Sequence, residues 1–268
     1  MSPQFSWTHW DVHPSVVFGV VALLGLYAWL AGPLRRRLDA APATAGQIAS
    51  FVGSLVVVLL ALNGPLHDLS EHYLFSAHMV QHLLLTLAVP PLMLAGIPGW
   101  TVEWITKPAP VRAVARLLTR PLVAFLLPNF VLAVWHFPGP YDSALEHHSI
   151  HIAMHLSLMV SAGMLWWPVL SPTPLFPRLH YSGQMLYLFA LGLPMSLIGA
   201  LITLAEQPIY QWYVHAPRLF ALSAVEDQRL GGLIMWVPGM LVFWGAMTVV
   251  WFRWADREVD RETVRGEM

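Results

Sequence analysis

The sequence predicts an all-α integral membrane protein with seven transmembrane helices, its N-terminus outside and its C-terminus cytoplasmic. Three observations lead there. First, 57% of the 268 residues are hydrophobic and 11% are charged, with a mean hydropathy of +0.59, whereas soluble domains carry about 25% charge. Second, seven apolar runs of about 20 residues each are long enough to cross the hydrocarbon core as helices. Third, Lys and Arg fall almost entirely on one side of those runs.

The runs lie near residues 16–34, 46–63, 73–95, 120–137, 148–170, 182–205 and 230–253, within a single polytopic domain over 1–268. The first has no basic residue before it and Arg35, Arg36 and Arg37 after it, the reverse of a cleavable signal, so it reads as a retained span. The second and third frame a loop bearing His67 and His72, and the third also holds Pro90 and Pro91. Pro128, Pro194 and Pro238 lie in the fourth, sixth and seventh. These prolines are expected to kink or break their helices, because each removes a backbone donor.

Lys107, Arg112, Arg116 and Arg120 separate the third and fourth runs, Arg178 precedes the sixth, and Arg253, Arg257, Arg261 and Arg265 follow the seventh. With the three arginines after the first run, these are cytoplasmic by the positive-inside rule. Only Arg218 and Arg229 fall outside. The net charge of −1 says little about partners, and no basic stripe suggests a nucleic-acid partner. The chain has no cysteine, which excludes disulfides, zinc–thiolate sites and iron–sulfur clusters. A soft metal would be held by His, Met or carboxylate.

On this topology twelve of thirteen histidines lie outside or in the outer leaflet, with His180 the exception. His9 and His13 precede the first span, and His215 lies in the last outer loop. "SAHMVQHLLL" (76–85) recurs as "SIHIAMHLSL" (149–158). Residues four apart share one helix face, so His78/His82 and His151/His155 are each a pair able to reach one ion. His82 lies roughly 13 Å below Tyr73 at a rise of 1.5 Å per residue, a depth at which ionisable groups face protein, water or metal. The alternative is that each imidazole only hydrogen-bonds a neighbouring helix.

At the same offset of 73, Val58, Leu59, Pro65, Ser70 and Ser76 match Val131, Leu132, Pro138, Ser143 and Ser149. This suggests that spans two and three correspond to spans four and five, with the site at the repeat interface. The two pairs, His78/His82 and His151/His155, are the expected metal ligands, with His67, His72, His136, His147 and His148 flanking them as further candidates. Asp68, Glu71, Asp142, Glu146, Glu226 and Asp227 are candidates for orienting the imidazoles, or are solvated loop charge. Met79, Met154 and Met235 sit at the right depth for thioether ligands, although methionine more often fills space. Asp227 also fits an N-cap of the last span.

The segments "HMVQHLLLTLAVPPLMLAGIP", "WHFPGPYDSALEHHSIHIAMH", "WWPVLSPTP" and "EDQRLGGLIMW" resemble the polytopic CtaG family of bacterial cytochrome c oxidase assembly proteins, from about Pro65 to Trp244. The resemblance implies a multi-pass protein of the bacterial cytoplasmic membrane that helps mature a haem–copper oxidase, with oxidase subunits or copper chaperones as partners and copper as the metal. Over the motifs it points to His78, His82, His136, His151, His155 and the Asp227-Gln228 pair. Zinc, iron and haem also suit imidazole. A membrane metalloenzyme or haem redox protein is therefore the alternative, and a transporter or scaffold the third reading. No nucleophile–base pair or phosphate loop stands out, so a non-enzymatic role is expected.

Overall fold

The computed structural model describes residues 5–8 and 10–266, with side chains through Glu258; His9 lies outside the described residues. All regular structure among them is helical: α1 (Pro14–Arg37), α2 (Ala45–Leu62), α3 (Gly64–His72), α4 (Phe75–Gly96), α5 (Gly99–Ile105), α6 (Ala109–Leu118), α7 (Pro121–His136), α8 (Pro138–Glu146), α9 (His148–Leu170), α10 (Tyr181–Leu204), α11 (Gln211–His215) and α12 (Ala224–Gly266). Six of these, α1, α2, α4, α9, α10 and α12, are each long and apolar enough to span a membrane. The fourth expected span is α7, which has only 16 residues and reaches spanning length together with α6, from which it is bent by 74°. Pro121 causes the break: the residue before a proline is driven from helical geometry, and Arg120 is extended at φ −62°, ψ 132°.

Local chemistry sets most boundaries. Thr44 opens α2 with a capping box, its hydroxyl accepting from Gln47 N and its own N–H donating to Gln47 Oε1. Ser223 and Glu226 do the same for α12, which therefore starts at Ala224 rather than near 230. None of the expected proline breaks ends its helix. Pro128, Pro194 and Pro238 lie inside α7, α10 and α12. Pro90 and Pro91 follow a π-helical turn over Leu84–Ala88, a local adjustment of the ladder of the kind that accommodates missing donors in a membrane helix.

α4 sits between two apolar clusters. Its Phe75, Met79 and Leu87 join Leu188 and Leu191 of α10 and Met235 and Phe243 of α12. Its Leu85 and Val89 join Val20 and Tyr27 of α1 and Phe51 and Leu55 of α2. The order of long helix, nine-residue helix and long helix, α2–α3–α4, recurs as α7–α8–α9, with Phe75 and His148 at the 73-residue offset.

Glycines let α12 approach its neighbours. A Cβ on Gly232 would lie 2.7 Å from Thr203 N and 2.9 Å from Gly199 O of α10, and one on Gly231 would lie 2.3 Å from Phe75 of α4. Close backbone approach of this kind gives membrane helices the packing that holds them together. Gly232→Ala is expected to cost about 1–3 kcal/mol by overpacking, read as a lower unfolding temperature in detergent. Gly245→Ala on the same helix, with nothing within 4 Å of the added carbon, is the neutral control.

Candidate metal centre

The two histidine pairs meet. α4 and α9 present them toward one another near the N-terminal ends of both helices, with ring centroids 5.4 Å apart for His82–His155, 5.8 Å for His78–His155 and 5.7 Å for His78–His151. Within the pairs the separations are 4.3 Å and 4.4 Å. His136, at the end of α7, lies 5.8 Å from His82. All five rings are buried. One ring nitrogen from each of His78, His82 and His155 falls within 4.8 Å of the other two, a spacing that can hold an ion.

The surrounding hydrogen bonds assign the protons. Tyr213 Oη donates to Ser70 O at 2.5 Å, so toward His78 Nδ1, 3.0 Å away, it can only accept. His78 is then protonated on Nδ1, and its Nε2 accepts from His82 Nε2 at 2.7 Å. That leaves His82 Nδ1 as an unprotonated nitrogen, buried and with no partner. His136 Nδ1 donates to Leu132 O at 2.7 Å and His151 Nδ1 to Glu71 Oε1 at 2.9 Å. Their Nε2 atoms, with His155 Nε2, are likewise buried without partners. Buried polar atoms are nearly always satisfied, and these four imidazole nitrogens have the chemistry of cation ligands.

A second group lies just above. His13, His67 and Glu71 each place one ligand atom within 4.8 Å of the others. Glu71 joins the two groups, accepting from His67 Nε2 at 3.2 Å and from His151 Nδ1 at 2.9 Å. Burial works against the Glu71 carboxylate, but the hydrogen bonds from His151 and His67 outweigh it and hold the group well below the usual carboxylate range. His13 is pushed down by partial burial and then by the neighbouring His67. Gln81 braces His67, donating to its Nδ1 at 2.9 Å and to Ala61 O at 2.7 Å. A cavity of about 400 Å³ between α1, α2 and α9 is lined by His13, His67, Glu71, His148, His151 and His155 above apolar side chains.

The remaining candidates are placed elsewhere. His72 is exposed and paired with Asp68, His147 is exposed and hydrogen-bonded to Ser143 O, and His148 reaches the cavity wall rather than either group. Asp227 neither joins the cluster nor caps its own helix: it accepts from Phe75 N, Ser76 N and Ser76 Oγ and so caps α4. Gln228 accepts from Ile209 N. Asp142 accepts from the first amides of α11. Glu146 is exposed, and Glu226 serves the α12 cap. Of the acidic residues proposed to orient imidazoles, Glu71 does so at the cluster. Met79 and Met235 pack in the main core and Met154 in the cluster between α7 and α9.

Sequence reasoning missed His13 as a member of a group, and Gln81 and Tyr213 as braces. Gln81 had a readable signal, a polar residue among apolar ones beside His82. Tyr213 had none, since it comes from α11, 135 residues away from His78.

A family model described as cytochrome c oxidase caa3 assembly factor, CtaG, matches residues 25–257. The chain belongs to this family. The matched region contains His67, Glu71 and all five clustered histidines and leaves out His13. Uncharacterized proteins of Mycobacterium bovis and Mycobacterium tuberculosis are each 28% identical over 267 residues, covering 91% of this chain and 39% of their own length. One from Mycobacterium leprae is 24% identical over 270 residues, covering 92% and 40%. This CtaG-family chain thus spans about two-fifths of the curated relatives it matches. No solved structure matches it. Family membership together with six or seven apolar helices makes it a multi-pass protein of the bacterial inner membrane.

Proposed function

We propose that this CtaG-family chain helps assemble a haem–copper cytochrome c oxidase by holding copper at the outer leaflet. His78, His82 and His155 are the ligands, the ion taking the place of the hydrogen bond that now joins His78 Nε2 to His82 Nε2, and His136 and His151 border the ion. The observation that carries this reading is that His78, His82 and His155 hold ligand atoms within 4.8 Å of one another, while His82, His155 and the neighbouring His136 and His151 each keep a buried nitrogen without a partner. Imidazole without cysteine suits copper, and the family is named for an oxidase of the copper class. The outer location follows from the arginines and the lysine at the opposite helix ends. In this reading the protein is not an enzyme: it binds the ion and gives it up to oxidase subunits, or receives it from a copper chaperone.

Copper content and an absorption spectrum of protein purified from copper-replete cells test the proposal. At least one copper per chain and no Soret band is the expected result. Protein free of copper would overturn it, and a Soret band would replace copper with haem.

A further inference from the structure

We propose that His13, His67 and Glu71 form a second metal site, an outer loading point for copper, from which the cavity leads past His151 to His155. Three observations converge on it. The three residues place one ligand atom each within 4.8 Å of the others, with the His13 and His67 rings edge to face at 4.5 Å; an ion there takes the place of the proton between His67 Nε2 and Glu71, and Gln81 then presents its carbonyl rather than its NH2 to His67 Nδ1. The set is half-buried and opens on the cavity of about 400 Å³, whose wall also includes His155 of the inner group. Glu71 is shared, one oxygen on His67 and the other on His151, and the His67 and His151 rings stack at 6.0 Å.

The site is assembled by the fold. His67 and Glu71 lie one turn apart on α3, so they share a face. His13 comes from the segment just before α1, 54 residues earlier than His67, and is held there by its backbone. His13 N donates to Asn63 Oδ1 at 2.8 Å, and Gly64 N donates to Asp11 O at 3.1 Å. Gly64 takes a positive φ of 69°, and a side chain there would strike the ring of Trp10. The segment before α1 is thereby pinned over the α2–α3 junction, which carries His13 onto His67.

The donor sets differ in kind. Two imidazoles and a carboxylate beside an open cavity suit an arriving, partly hydrated borderline ion, whereas the enclosed all-imidazole group suits a bare one. Glu71 spans the step between them. The loading role rests on the inner group being a copper site, while the existence of the outer site does not.

The test is equilibrium binding of Cu(II) to the metal-free full chain in detergent. Two ions per chain are expected for the wild type. One is expected for His13→Ala and for His13→Ala combined with Glu71→Gln, and one for His82→Ala/His155→Ala. His72→Ala, at an exposed histidine outside both groups, should keep two. Undiminished binding by both outer variants, or an equal loss in His72→Ala, would overturn the second site. If the outer variants lose an ion while His82→Ala/His155→Ala loses none, the second site stands and the inner copper reading fails. Circular dichroism and an unchanged melting profile for His13→Ala, whose side chain lies at the cavity edge, separate lost binding from lost fold.

Discussion

Under the proposed copper reading, replacing His78 and His155 together with alanine is expected to abolish copper binding between α4 and α9. These two residues come from different spans, and they supply two of the three nitrogens that converge within 4.8 Å. One imidazole cannot hold the ion against buffer ligands, so the affinity loss should exceed the 10–100-fold typical of losing a residue that only orients a ligand. Tyr213→Phe provides that graded comparison. It keeps the ring packed against Phe75 but deletes the oxygen that accepts from His78 Nδ1. An affinity loss of about 10–100-fold, with the ion still bound at high copper, is expected there. A competition titration with a chelator reads both. Unchanged affinity in the double variant would show that copper, if bound, sits elsewhere.

Asp227→Ala is expected to be the most destabilising single change in the protein. The carboxylate is buried and accepts three hydrogen bonds, at 2.7 Å from Phe75 N and at 3.1 and 2.5 Å from the N and Oγ of Ser76. Alanine leaves those donors without an acceptor at a buried helix start, at about 1–3 kcal/mol for each unsatisfied group. A total of about 3 kcal/mol or more follows, enough to lower the unfolding temperature in detergent well beyond the Gly232→Ala effect. Asn keeps one acceptor oxygen but turns an NH2 toward donors, so Asp227→Asn should recover only part of the loss. Because α4 carries His78 one turn below this cap, the same variants should also weaken copper binding. A melting temperature equal to wild type for Asp227→Ala would mean that the cap contributes nothing.

Periodicity and composition made the spans legible. Apolar run length identified α1, α2, α4, α9, α10 and α12, and it identified α7 by place though not by length. The four-residue spacing of His78/His82 and His151/His155 also shows that each pair occupies one face, because that is a property of a single helix. Proline effects were less legible. A missing donor is local, but whether a helix breaks depends on neighbours that tolerate a π-helical turn, as at Leu84–Ala88.

By itself the sequence determined the membrane class, the order of helices and the His-bearing faces, since each follows from solvent transfer and helix geometry along one segment. Tertiary structure alone decided that the two faces meet, that His13 rather than His72 or His147 joins a group, and that Asp227 caps α4 instead of α12. The physical reason is separation along the chain. Asp227 bonds a backbone amide 152 residues away and Glu71 holds an imidazole 80 residues away. Which polar groups are left buried and unpartnered is settled only when the helices pack.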